Sequence, residues 1–378
     1  MTEPMGLYIH IPFCNKKCDY CDFVSYSMDR KAQQLYLEGL FTEIDMLKRE
    51  YQDRVFNSLY IGGGTPSIVY EGFIASLSRK IFSSFHFEPK SEFTIEVNPS
   101  SFTRTKFFEY VESGVNRISV GVQCLDSKLL QQHGRVQSVD NIRSTFDILR
   151  DARFHNVSSD VMIGLPGQST GSVVDTVKYL AENNVKHISL YTLQIEKHTM
   201  LYNKFRKGKI SPMKDKKIIN IYEKVYKYLK GEGFFRYEVS NYAKPCFESR
   251  HNQKYWNGTE YLGLGVSAHS YVDDYRFYNT KRLDTYIDNM EQGKSAVYSK
   301  EYVSIAERRT EYIMLALRTT KGLNLAQFEQ EFKENLLLSK GFEIKKLTNL
   351  GMVEVVDGYL RITDKHFFVS NSIILELI

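Results

Sequence analysis

The sequence predicts an α/β fold: an incomplete, laterally open (β/α)6 barrel followed by a small α+β, winged-helix-like domain. Three observations lead there. Short β-rich runs alternate with helical stretches about six times between residues 7 and 233. Each run sets an apolar face against one that is polar or small, whereas an ordinary closed barrel fills its interior with branched apolar residues. Residues 299–378 then change character, with two helical stretches followed by a hairpin.

The predicted strands are Leu7–Ile11, Leu59–Ile61, Glu92–Val97, Arg117–Val122, Val157–Ile163 and His187–Leu193. Between them runs a 3.6-residue rhythm, as in Leu37, Leu40, Ile44 and Leu47. It recurs in Ile142, Phe146 and Leu149, with Ser138 as N-cap, and in Val173, Val177 and Leu180. Parallel strands with crossover helices follow. Six units fall short of the eight that close a barrel, and a doubly wound open sheet is the alternative. Side chains two apart share a strand face. Leu7, Ile9 and Ile11 therefore oppose Tyr8 and His10, while Phe93, Ile95 and Val97 oppose Thr94 and Glu96. Similarly, Ile118, Val120 and Val122 oppose Arg117, Ser119, Gly121 and Gln123, and Val161 and Ile163 oppose Ser158 and Asp160. Buried polar groups need partners, so the interior is predicted to hold a polar or charged ligand.

The barrel reading covers residues 1–233. Residues 234–298, rich in Tyr, Gly and Asn, read as a connecting region of loops and short pieces. Residues 299–378 read as the C-terminal domain, with helices over Ile305–Leu317 and Leu325–Lys340. There, Met352–Val356 and Tyr359–Thr363 flank the turn Asp357-Gly358. Mixed acids and bases make this a packing domain rather than a nucleic-acid reader. Composition is that of a folded globular chain, 42% hydrophobic and 25% charged, and the net charge of +5 is dispersed. The start, MTEPMGLYIHIPFC, lacks the pattern of a signal peptide, and no apolar run is long enough to span a bilayer. A cytoplasmic location is expected, with peripheral membrane association allowed.

Five cysteines, three of them within eight residues, argue for a metal site in a reducing compartment and against a disulfide framework. Cys14, Cys18 and Cys21 form C-x3-C-x2-C directly after the first strand, on the rim where βα barrels place their sites. Iron–sulfur clusters usually take four thiolates, so three on one loop leave one iron open to a small chelating ligand. Structural zinc is the alternative, but it favours two C-x2-C pairs, and no second pair exists. Gly62-Gly63-Gly64-Thr65-Pro66 ends the second strand and offers bare backbone. Glu96, Gln123 and Asp160 lie at or near later strand ends, and Arg135 follows.

C-x3-C-x2-C with an aromatic, Tyr20, before the last cysteine resembles the signature of the radical S-adenosylmethionine (SAM) superfamily. The resemblance implies a [4Fe-4S] cluster on Cys14, Cys18 and Cys21 whose open iron binds SAM. It further implies SAM contacts from Tyr8, Tyr20, Gly63, Gly64, Thr65, Glu96, Gln123, Arg135 and Asp160. The segments Tyr8–Cys14, Gly62–Pro66, Glu96–Pro99, Gly121–Gln123 and Asp160–Pro166 are similar to one branch, the oxygen-independent coproporphyrinogen III oxidases and the HemW haem chaperones. Oxidases of that branch carry another cysteine two residues after the third cluster cysteine, where this chain has Phe23. They also carry a long N-terminal arm, where this chain has six residues before its first strand. His251-Asn252-Gln253-Lys254-Tyr255-Trp256 matches the H-N-x-x-Y-W motif of the chaperones. It implies haem contact by His251, Tyr255 and Trp256, with imidazole as an axial ligand and flat aromatic surface for the porphyrin. Cys246 and His269 are weaker ligand candidates, and Cys124 reads as a small buried hydrophobe. The chaperone reading implies haem as cargo, a donor such as bacterioferritin, membrane respiratory haem enzymes as acceptors, and admits a homodimer. The rival is radical decarboxylation of coproporphyrinogen propionates. A nucleic-acid-modifying enzyme is disfavoured by the dispersed charge.

Overall fold

The computed structural model describes residues 3–27 and 29–378, so Met1 and Thr2, at the start of the segment read for a leader, lie outside the described residues, as does Met28. Six strands form the centre of a single large sheet: β1 (Met5–Ile11), β2 (Val55–Gly63), β3 (His86–Val97), β4 (Arg117–Gln123), β5 (Val157–Ile163) and β6 (His187–Thr192). They pair in chain order, every pair parallel, with helices such as Arg30–Leu47 and Thr170–Glu182 making the crossovers. Ser138 caps Val139–Asp151 and completes a reciprocal capping box with Asn141. The fold is the laterally open six-unit barrel that the alternation implies.

The sheet continues at both edges. β7 (Phe235–Arg236) and β8 (Asn241–Ala243) add antiparallel to β6. On the other side β9 (Tyr261–Leu264) pairs parallel with β1, followed by antiparallel β10 (His269–Val272), β11 (Tyr275–Asn279) and β12 (Val297–Tyr302). The full order is β12-β11-β10-β9-β1-β2-β3-β4-β5-β6-β8-β7. The short pieces of residues 234–298 are thus strands that extend the barrel wall, together with a helix, Arg250–Asn257. The strands are short, and the β10–β11 hairpin turns on Asp273-Asp274, both at positive φ, without the glycine that usually marks such a turn.

Two separate apolar cores exist, one under the sheet from Met5 to Ala296 and one in the C-terminal part from Ile313 to Leu377. The second holds the predicted hairpin, Val353–Val356 with Tyr359–Ile362. The expected long helix Leu325–Lys340 is divided instead. It stops at Phe332, because Lys333 takes the left-handed conformation as C-cap, and restarts at Leu336, capped by Asn335. The parts meet where the buried Arg236 guanidinium lies 4.1 Å from the Phe367 ring centroid and 3.0 Å from Asp364.

Candidate functional site

The cysteine loop leaves β1 at the barrel rim and is pinned by Asp19. Its backbone N–H donates to the His133 carbonyl (3.1 Å), its carbonyl accepts from Leu201 N–H (2.7 Å), and its carboxylate meets Lys204 at 2.5 Å. Cys14, Cys18 and Cys21 line one cavity of about 580 Å³ with Tyr20, Gly63, Gly64, Thr65, Glu96, Gln123, Arg135 and Asp160. Every residue of the expected cluster and SAM set lines this cavity except Tyr8. Tyr8 sits one layer deeper, its hydroxyl 3.0 Å from His10 Nδ1 and its ring stacked on Tyr60.

Two glycines are required for steric reasons. At Gly63, with φ +114°, a Cβ would lie 2.7 Å from the His10 ring. At Gly64 it would lie 2.7 Å from the Phe13 carbonyl oxygen and 3.1 Å from Cys14 Sγ. The backbone there lies bare beside the thiols, and the Thr65 hydroxyl sits 3.4 Å from Cys14 Sγ.

The same cavity is lined by acids, Glu96 and Asp160. Glu96 accepts from the Tyr60 hydroxyl (2.7 Å) and from Gly63 N–H (3.1 Å). Burial, with Asp160 nearby, pushes its carboxyl up to about 7 against those two hydrogen bonds. Burial also raises Asp160, opposed by Ser189. Two carboxyls held away from water favour a cationic occupant. Arg135 closes the other flank, donating through Nε to the Tyr20 hydroxyl (2.8 Å). Burial opposes its charge, but Tyr20 and the Cys18 and Cys21 thiols outweigh it, and Arg135 stays protonated. Burial raises the Cys14 and Cys21 thiols.

Sequence reasoning missed Tyr60, Asp19 and Gln137, which position others. Gln137 accepts from Asn98 (3.0 Å) and Arg135 (3.3 Å) and donates to the Gly121 carbonyl (2.8 Å). Strand alternation places Tyr60 beside Tyr8 on the polar face, a signal available in the sequence. Asp19 and Gln137 carry no such signal.

The H-N-x-x-Y-W segment forms the Arg250–Asn257 helix beneath the barrel. His251 is 1% exposed. Its Nδ1 meets the Ser58 hydroxyl at 2.9 Å and its Nε2 the Tyr255 hydroxyl at 2.9 Å. Burial, then Lys254 and Arg117, hold it down to about 3, hence neutral. Both ring nitrogens of His251 are thus engaged with protein hydroxyls, and the ring is enclosed. Tyr255 and Trp256 line a second cavity of about 920 Å³ with Tyr261, Tyr312, Arg276 and Lys321, between this helix and the C-terminal part. Neither Cys246, which is exposed, nor His269, stacked on Tyr278, lines it. Cys124 is fully buried in the main core.

The family model of the Radical SAM superfamily matches residues 8–180, and that of the HemN C-terminal domain matches residues 303–369. A protein named heme chaperone HemW in Lactococcus lactis subsp. lactis (strain IL1403) is 31% identical over 99% of this chain and 97% of its own length. The chain belongs to the HemW branch of the radical SAM superfamily. The heme chaperone HemW of Bacillus subtilis (strain 168) is 30% identical over 97% of both chains. The structure of coproporphyrinogen III oxidase (HemN) from Escherichia coli, described as a radical SAM enzyme, aligns with a TM-score of 0.86 at 24% identity, covering 100% of this chain and 90% of that one. That match speaks for the fold. For this HemW-branch chain, the superfamily implies SAM and a [4Fe-4S] cluster as cofactors.

The residues fit those groups. Among the described residues no three His, Cys, Asp or Glu side chains converge on a single-ion site. Three thiols on one short loop, all lining a single cavity, suit the cluster. Glu96 and Asp160 suit the ammonium and sulfonium of SAM. No described helix is long and apolar enough to cross a membrane.

Proposed function

We propose that this chain is a haem chaperone: it binds haem, holds it shielded from water, and delivers it to haem proteins. What carries the reading is the similarity, nearly end to end, to proteins named heme chaperone HemW. Phe23 agrees with it. At the mouth of the first cavity this side chain, 63% exposed, stands where the related oxidases have a further cysteine.

In this reading Cys14, Cys18 and Cys21 hold the cluster, and Gly63, Gly64, Thr65, Glu96, Gln123, Arg135 and Asp160, with Tyr20, hold SAM. The cluster supplies an open iron for the SAM amino and carboxylate groups. Glu96 and Asp160 neutralise the cation, Arg135 orients Tyr20, and the bare Gly63-Gly64 backbone admits the ligand. Haem occupies the second cavity. Its volume is within the usual range for small-molecule sites, its aromatic walls suit a flat macrocycle, and Lys321 can meet a propionate, while Arg276 is paired with Glu311. The working compartment is the cytoplasm. The donor is of the bacterioferritin type and the acceptors are respiratory haem enzymes at the membrane, served by a monomer or a homodimer.

The test is titration of the cluster-loaded protein with hemin. A Soret shift saturating near one haem per chain, weakened at least fivefold by Trp256→Ala, is the expected result. No shift, or protoporphyrinogen formed over many turnovers from coproporphyrinogen with SAM and dithionite, overturns the reading in favour of the oxidase.

A further inference from the structure

The Arg250–Asn257 helix lies beneath the barrel and lines the second cavity, while the first cavity is lined by other elements. It is tied in at three points. Glu92 on β3 accepts from Ser249 Oγ (3.2 Å) and from the backbone N–H groups of Arg250 (2.9 Å) and His251 (3.1 Å), capping the helix N-terminus with a buried carboxylate. At Gly6 on β1 an added Cβ would lie 2.9 Å from the Lys254 side chain and 3.1 Å from the His251 ring, so helix and strand are in direct contact. The His251 ring stacks on Tyr60 of β2, with centroids 5.2 Å apart and planes 29° from parallel.

Tyr60 has a second role at its other end. Its hydroxyl donates to Glu96, which lines the first cavity. On the far side of the imidazole, His251 shares a hydrogen bond with Tyr255, which lines the second cavity beside Trp256. A continuous path thus runs from Glu96 to the Tyr60 ring, the His251 ring and the Tyr255 hydroxyl, and Trp256 is the next residue of the helix. The same strand, β3, carries both Glu92 and Glu96, four residues apart on one face. Its position therefore fixes the helix at one end and the cavity wall at the other.

We propose that occupancy of the first cavity is transmitted to the second through Tyr60 and His251, so that the two sites are energetically coupled. The physical reason is that the path has no slack. Interiors are packed at crystal density, and both ring nitrogens of His251 are already committed. A cation beside Glu96 keeps that carboxylate ionised, and a hydroxyl donating to a carboxylate is held about twice as strongly as one donating to a neutral group. The Tyr60 ring is then fixed, and His251 and Tyr255 move or stiffen with it. Coupling between sites typically amounts to about 5-fold or more in affinity. Tyr60 and His251 are positioning residues here and touch neither ligand. The proposal rests on the reading of the first cavity as the SAM site and is independent of haem.

Trp256 is the one tryptophan of the chain and lines the second cavity. Reduced, cluster-loaded protein is titrated with SAM while the cluster EPR spectrum and the Trp256 emission are read together. Both change, with one common midpoint. Tyr60→Phe removes the hydroxyl on Glu96, and Tyr255→Phe removes the hydroxyl on His251. In each variant the cluster still responds, which also certifies folding, with its midpoint within about tenfold, while the Trp256 response falls by more than half. A silent Trp256 in the unaltered chain while the cluster responds overturns the coupling alone, as does a full emission change in both variants. A cluster spectrum indifferent to SAM removes the site reading and the coupling together.

Discussion

Replacing Glu96 by Gln tests whether the first cavity is built for a cation. Gln keeps the size and can still accept from Tyr60 and Gly63, but it cannot ionise. In the ligand-free chain the Glu96 carboxyl is raised from 4.5 to about 7 by burial and Asp160. A raised acid contributes stability that is full below its unfolded value and is lost as pH climbs through the folded one. Ionised Glu96 therefore costs the empty protein progressively more between about pH 4.5 and 7, and the cost then levels off. At 1.36 kcal/mol per pH decade the plateau is about 3 kcal/mol, an upper bound because the cavity admits water. The advantage of E96Q over the native chain grows from under about 1 kcal/mol at pH 5 to that plateau by pH 8. With an unfolding entropy near 2.1 cal/mol/K per residue over 378 residues, this is a Tm gain rising by about 3 °C across the interval. The assay is thermal unfolding of metal-free protein under anaerobic, reducing conditions at both pH values, paired with SAM titration of the loaded protein. The variant should be more stable when empty and bind SAM at least tenfold more weakly. Equal Tm differences at pH 5 and pH 8, or undiminished SAM affinity, would refute the reasoning.

Gly64→Ala should lower iron incorporation by at least half, read by iron analysis after reconstitution, because the new methyl meets the Phe13 carbonyl and Cys14 Sγ. Arg135→Lys removes the Nε donor to Tyr20 and the fork geometry that a lysine lacks. SAM affinity should fall about tenfold at unchanged iron content. Arg236→Ala strips the cation from Phe367 and the ion pair from Asp364. The loss is about 2 kcal/mol, seen as faster limited proteolysis within residues 303–369 with the cluster spectrum intact.

Much of the site was legible in the sequence because its geometry is local. Cys14, Cys18 and Cys21 fall on one short loop, Gly63-Gly64 on the next strand end, and the period-two pattern points Glu96 and Asp160 inward, so a single topological assumption brings them together. Tyr8 shows the limit of that logic: alternation gives the face but not the depth, and it is not among the residues that line the cavity. His251 shows another. The residue type and motif imply a haem ligand, but whether an imidazole is free depends on Ser58 and Tyr255, one of them nearly two hundred positions away. The strands after residue 234 were hidden because they are short and take their pairing from β1 and β6, not from their own periodicity. The break in the C-terminal helix at Lys333 is a left-handed cap made without glycine, where composition gives no warning.

The open-cornered cluster is tested most directly by reconstituting the chain anaerobically, counting its metals, and recording the EPR spectrum of the reduced protein before and after SAM is added. Close to four irons per chain and a spectrum altered by SAM are predicted. One zinc per chain, or an iron–sulfur signal that ignores SAM, would contradict it.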